Sequence, residues 1–363
     1  MFVISEILLY ICFSMVIGGL ILELVPDDRK PPIVLPKKVL LLSVSGIGLL
    51  SFMPVLRVIL FFISDPNIPL PDMISSILFT FEVGKGWLVT LVLSILLFVL
   101  LVTRNRTSSS KKLTILSLLV AVGLVIALGW SSHAASYFEW EGFIAHSVHF
   151  MAMSVWIGIL LVVGWCTKNH SNWSSFLQWF HPVAVFCLTV TIVAGLLLSF
   201  KIAPGYFNSW ILPYGQALLL KHLLIVPLII FGVLNGFLMK KRLQKQAGFH
   251  PISWIRAESI FVLMIFSVTG FMSIQEPPHD VAQTIKMTEP SQLFMLFYQG
   301  VLTDEPAITL SANPLSILLA ITTCLFGAML VWAFMKKFSP LLGVFLGIMF
   351  VFSGYLSLML AIV

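Results

Sequence analysis

The chain has 363 residues, of which 59% are hydrophobic and 10% charged, with a formal net charge of +6 at pH 7. Its mean hydropathy of +1.05 excludes a disordered chain, which shows the opposite balance, and a soluble domain, which needs far less apolar surface. The positive charge sorts by loop, so it speaks of membrane topology and not of nucleic acid, and no nucleic-acid partner is expected.

A helix needs about 20 mostly apolar residues to cross a ~30 Å hydrocarbon core. Ten stretches meet that length: 2–24, 38–64, 85–103, 113–131, 142–165, 178–200, 216–239, 254–275, 314–335 and 341–362. The fold class expected is therefore all-α, a polytopic transmembrane bundle of about ten helices in the lipid bilayer. The first residues lack a basic region and carry Glu6, so no cleavable signal peptide is expected. Cys12, Cys166, Cys187 and Cys324 lie inside the spans without CxxC spacing, which reads as apolar packing and not as a disulfide framework.

Placing the N-terminus outside puts 16 of the 21 basic residues in cytoplasmic connections, Arg106, Lys241 and Lys245 among them, and 11 of the 15 acidic residues on the opposite side. The positive-inside rule favours that orientation, with both termini external.

In chain order, the first span carries Glu6 near its outer end and Glu23 near its inner end. Pro54 is expected to kink the second span. Arg57, near the outer end of that span, either snorkels to the interface or pairs with a carboxylate such as Glu6. Residues 65–72 alternate prolines with acids and read as a turn. Glu82 and Lys85, at i and i+3, can pair at the outer start of the third span. The fourth span ends at Trp130-Ser-Ser-His133, and Glu139 and Glu141 follow.

The fifth span opens with His146-Ser-Val-His149-Phe-Met151-Ala-Met153-Ser-Val-Trp156-Ile-Gly158. At 3.6 residues per turn, His146, His149, Met153 and Trp156 share one helix face, while Met151 points elsewhere. Imidazole and thioether together suit a soft or borderline ion such as Cu(I). Polar groups in hydrocarbon are costly and generally functional, although interhelical hydrogen bonding is the plainer alternative. His133, Glu139, Glu141, His146 and His149 gather within 17 residues at one membrane face. His181, at the inner start of the sixth span, lies at the opposite depth.

His222, beside Lys221 in the first turns of the seventh span, is a further candidate ligand at the depth of His149, or a histidine bonded to a neighbouring helix. Glu258 in the eighth span is expected to meet a neighbouring helix. An outer segment of about 35 residues follows, in which 291–302 reads as an interfacial helix. The ninth and tenth spans carry no candidate site and suit a structural or partner-binding role.

Ser132-His133-Ala134, His149 seven residues before Trp156-Ile-Gly158, Pro213-Tyr214-Gly215 before Lys221, Asn235, Arg256-Ala-Glu258 and Pro277-Pro278 occur in an order that resembles the copper resistance protein D (CopD) family of bacterial membrane proteins. The resemblance is strongest over 110–278. It implies an eight-helix core over 1–278 handling copper in the bacterial cytoplasmic membrane, with His133 and His149 as the matching histidines. Residues 279–313 would be an outer loop, and 314–363 two helices beyond the usual end of the family. Phe180-His181 also departs from the family's Phe-Ser pair. Some relatives carry a soluble copper-binding domain, which leaves a separate external copper chaperone open as a partner here.

The mechanism expected is copper transport, as Cu(I), through an outer site of His133, His146, His149, Met153 and His222. Glu139 and Glu141 would attract cations at its entrance, and Glu6, Arg57, Lys85 and Lys221 would be intramembrane charges near the outer face. With no Walker A motif, no Asp-Lys-Thr-Gly and no Cys-Pro-Cys, the sequence does not read as an ATP-driven pump or as an enzyme. Two rivals stand beside this reading. One is a b-type haem protein with His149 and His222 as axial ligands. The other is a non-transporting copper delivery or sensing protein.

Overall fold

The computed structural model describes residues 1–63, 69–104, 111–240, 242, 250–298 and 307–363. Asp65, Arg106, Lys241, Lys245 and residues 299–302 of the expected interfacial helix lie outside the described residues. Among the described residues, ten helices are long and apolar enough to cross a membrane, each coinciding with one of the ten stretches read from the sequence. The fold is an all-α polytopic bundle. By contacts the chain divides into two compact units, Met1–Leu198 and Ser199–Val363.

The first unit holds α1 (Phe2–Leu24), α2 (Lys37–Leu50), α3 (Met53–Phe62), α4 (Leu70–Phe79), α5 (Glu82–Thr103), α6 (Lys111–Trp130), α7 (His133–Cys166) and most of α8 (Trp173–Ile202). α2 and α3 are one span broken at Ser51–Phe52. Pro54 lies in the first turn of α3, where its missing N–H costs nothing, so the expected kink is a break with a fresh helix start. The stretch read as a turn over 65–72 ends differently: from Leu70 the chain is helical, with Pro71 at its start. Ten residues are too few to cross a membrane, which is why α4 gave no span signal.

The core of this unit is apolar and continuous. Phe13, Val16, Leu20, Val44, Leu97 and Leu124 are all at most 1% exposed. Large side chains such as Leu42, Phe61, Val92 and Phe186 point outward, as they do towards hydrocarbon. α7 is the most enclosed helix of the ten, and it meets α1 at glycines. A Cβ on Gly18 would fall on the Gly158 backbone, and one on Gly158 would reach the Ser14 carbonyl oxygen and the Gly18 backbone. Such close backbone approach is how helices pack where lipid offers no hydrophobic drive.

The unit is also tied by polar contacts. Trp87 Nε1 donates to the Gly48 carbonyl at 3.1 Å, joining α5 to α2. Val34 N–H donates to the Cys166 carbonyl at 2.7 Å, joining the connection after α1 to the end of α7. Arg104, only 6% exposed, grips Glu23 with both guanidinium nitrogens at 2.6 and 2.7 Å.

The second unit holds α9 (Pro213–Val233), which continues as a π-helix (Leu234–Leu238), then α10 (Pro251–Met272), α11 (Val281–Met287), α12 (Gln292–Met295), α13 (Pro314–Met335) and α14 (Pro340–Met359). Proline stands in the first turn of α9, α10, α13 and α14, the position it favours. Asn313 and Ser316 form a reciprocal capping box on α13.

The last two spans are integral to this unit. Tyr355 on α14 donates to Gln216 Oε1 on α9 at 2.6 Å. Thr323 on α13 donates to Ser353 on α14 at 2.9 Å. The stretch 291–298 forms the four-residue α12 and not the start of a long interfacial helix. Its Phe294 is fully buried, and Ser291 N–H donates to the Ile211 carbonyl at 2.7 Å, so the segment packs on its own unit.

Candidate functional site

α6 ends at Trp130, and the side chain of Ser132 accepts the Ala135 N–H at 3.2 Å, capping a new helix. His133 therefore opens α7, whereas the sequence reading placed it at the end of the preceding helix. The helix is interrupted at Phe138 and at Glu139, whose φ of 47° and ψ of −126° leave the helical region. At Gly142 a Cβ would strike the Ala134 backbone, so the residue is what lets the short opening segment fold back on the helix. His133, Glu139 and Glu141 are exposed there. Trp130, Trp140 and Phe143 stand beside them with ring centroids 5.7–6.0 Å apart, the aromatic composition of a membrane interface.

Beyond the interruption, the arc from His149 to Phe150 runs between two neighbours. Phe150 meets Phe13 of α1 edge-on at 5.1 Å, and His146 meets Phe150 edge-on at 6.3 Å. On the other flank, His149 faces α8. Its Nδ1 lies 2.8 Å from the Thr191 carbonyl oxygen. A carbonyl only accepts, so Nδ1 carries a hydrogen and donates it to Thr191. Gly195 makes room for the ring: a Cβ there would stand 3.1 Å from its Cε1. Met153, half-buried one turn further on, packs against the apolar core of the first unit.

The remaining candidates each belong to one unit or the other. His222 belongs to the second unit, where its Nδ1 lies 2.8 Å from the Tyr206 hydroxyl. Burial pushes the Tyr206 phenol up from its ordinary value, which keeps that hydroxyl protonated. Lys221 is half-buried beside it. Glu6 is hydrogen-bonded with Tyr10 on α1, and Arg57 is exposed on α3. Lys85 donates to Glu82 at 2.9 Å, as its spacing suggested, and Trp130 Nε1 donates to the other Glu82 oxygen at 2.7 Å.

Among the described residues, no three His, Cys, Asp or Glu side chains come together as a group able to hold a metal ion. The four cysteines are free thiols.

Sequence reasoning missed the partners of His149, because a backbone carbonyl and a glycine within an apolar span carry no signal. It also missed the pair formed by Asn235 and Glu258. Asn235 Nδ2 donates to Glu258 Oε2 at 2.7 Å and to the Trp254 carbonyl at 3.2 Å.

Two family models match this chain. The model for copper resistance protein D covers residues 174–272, and that for the copper resistance protein D-like N-terminal domain covers residues 1–143. The chain is similar to the copper transport protein CutJ of Bacillus subtilis (strain 168), with 27% identity over 230 residues. That alignment takes in 60% of this chain and 42% of the relative, so the chain spans less than half the length of the curated protein it matches. No solved structure matches. The two family models, matching residues 1–143 and 174–272 of this helical bundle, place the chain in the copper resistance protein D family.

Proposed function

We propose that this chain moves copper, as Cu(I), across the bacterial cytoplasmic membrane, and that His149 is the central ligand of its outer site. One observation carries the reading: the Nδ1 of His149 is anchored on the Thr191 backbone carbonyl, which fixes the orientation of the ring. Histidines that bind metals are held in this way, with the second nitrogen fixing tautomer and ring orientation. Met153, one turn along, supplies the thioether that a soft ion favours, and His146 is the nearest second imidazole along the helix. His133, Glu139 and Glu141, exposed around the helix interruption, form the entrance that raises the local cation concentration. His222, bonded to Tyr206 in the other unit, serves a later or purely structural role.

The similarity to a copper transport protein supports transport over delivery or sensing. With the N-terminus outside, an inward-negative potential favours import of a monovalent cation by about 2.3 kcal/mol per 100 mV. The reading is of a transporter and not of an enzyme, with copper as cargo and an external copper chaperone as a partner that can supply it.

The test is competition for Cu(I) between the detergent-purified chain and a chromophoric chelator, beside Cu(I) uptake into proteoliposomes. His149→Ala is expected to weaken binding at least about tenfold and to slow uptake. Binding unchanged in the variant would remove His149 from the site. Tight binding without uptake would turn the reading to delivery or sensing, and a haem band before copper is added would turn it to redox chemistry.

A further inference from the structure

We infer that Glu258 and Asn235 form a proton-binding site inside the membrane, a carboxyl that takes up and releases a proton against a fixed carboxamide. The site lies where α9 gives way to the π-helix Leu234–Leu238, opposite the first turns of α10. Single π turns within α-helices gather at functional positions, because the widened turn displaces side chains that a regular helix would align.

Both side chains are almost wholly enclosed, Glu258 at 2% and Asn235 at 4% exposure. Glu258 makes no ion pair among the described residues. The orientation of the Asn235 amide is fixed by its two acceptors, since only nitrogen can donate both to the Trp254 carbonyl and to Glu258 Oε2. That leaves the Asn235 Oδ1 buried without a hydrogen bond, an arrangement that ordinarily costs stability and calls for an explanation.

A proton on Glu258 supplies one. With Oε2 already accepting from Nδ2, an O–H on Oε1 gives Oδ1 the donor that it lacks and closes a two-bond acid–amide pair. Releasing the proton leaves the anion with the single N–H donor from Asn235. The only bond made or broken is O–H, and water supplies and accepts the proton. The two forms have different hydrogen bonds at one place, which is what a proton relay in a membrane requires.

The neighbouring titratable groups do not substitute for it. On α9, Lys221 and His222 are 13 or more residues from Asn235, about 20 Å along the helix. On α14, Tyr355 is committed to Gln216. Beyond the π-helix, Lys240 is exposed and Arg242 donates to the Phe334 carbonyl. On α10 itself, Arg256 is exposed. This inference does not depend on the identity of the transported ion.

The experiment is infrared difference spectroscopy of the full chain in detergent or lipid, stepped through pH. Expected is a protonated-carboxyl C=O band that disappears as pH rises, is absent in Glu258→Gln and is displaced in Glu258→Asp. Asn235→Leu should move the band to higher frequency, because the acid then loses its hydrogen-bond partner. A band identical in wild type and all three variants, or a Glu258 carboxyl that stays in one form at every pH, would overturn the inference. Incorporating ¹³C-labelled glutamate into the wild type gives the same readout should a variant fail to fold: a pH-dependent band that shifts with the label supports the site, and no such band overturns it.

Discussion

Gly195 is the residue against which the role of His149 can be tested without touching a ligand. A Cβ there would lie 3.1 Å from Cε1 and 3.3 Å from Nδ1 of the ring, closer than most real contacts. The larger branched side chain of Gly195→Val would push the imidazole off the Thr191 carbonyl. Losing an outer-shell anchor of this kind typically costs about 10–100-fold in metal affinity. We therefore expect Gly195→Val to weaken Cu(I) binding by about tenfold while leaving the helix content unchanged, as measured by chelator competition and circular dichroism. A binding curve that overlays the wild type would mean that the ring does not need its present orientation. The difference in legibility between His149 and its support follows from the chemistry of the two. An imidazole in an apolar span stands out in a sequence, whereas a mid-helix carbonyl exists at every residue and becomes a partner only once α8 is packed against α7. Likewise Glu258 announced itself as a buried carboxyl in need of a neighbour, but which helix supplied Asn235 was a property of the fold.

At the scale of elements, the ten spans were readable because apolar length alone specifies them, and their positions coincide with those found. What escaped the reading were departures from regular helix: α4 over Leu70–Phe79, the interruption at Phe138–Glu139 and the π-helix at Leu234–Leu238. Each is set by a turn's hydrogen bonding or by a neighbour's position, neither of which leaves a periodic pattern. The contact between α1 and α7 was likewise not written in hydropathy, since glycine in an apolar run is ambiguous until the partner glycine is known. With Gly18 and Gly158 backbone to backbone, Gly158→Leu has nowhere to place its side chain. Overpacking of this kind costs about 1–3 kcal/mol, occasionally more. A clear drop in the midpoint of thermal unfolding in detergent is expected, whereas Gly205→Ala, whose Cβ would meet only ordinary contacts at 3.8 Å and beyond, should melt as the wild type does. Equal midpoints for the two variants would show that α1 can withdraw from α7 at no cost.

For the molecule as a whole, the distribution of charge gives the expected orientation in the membrane, and with it the face that the proposed site at His149 would serve. Sixteen of the 21 basic residues fall in connections on one side when the N-terminus is placed outside, and 11 of the 15 acidic residues fall on the other. Lysine and arginine near span ends resist translocation against an inward-negative potential, so their excess marks the cytoplasmic side. On that expectation Lys168, just past the end of α7, would be cytoplasmic, and Val363, four residues past the end of α14, external. The expectation is tested by single cysteines introduced into a cysteine-free chain. Val363→Cys should react with a membrane-impermeant maleimide in intact cells, and Lys168→Cys only after permeabilisation. The reverse pattern would turn the molecule over: His133, Glu139 and Glu141 would then face the cytoplasm, the same site would collect copper from within, and the potential would oppose its passage outward.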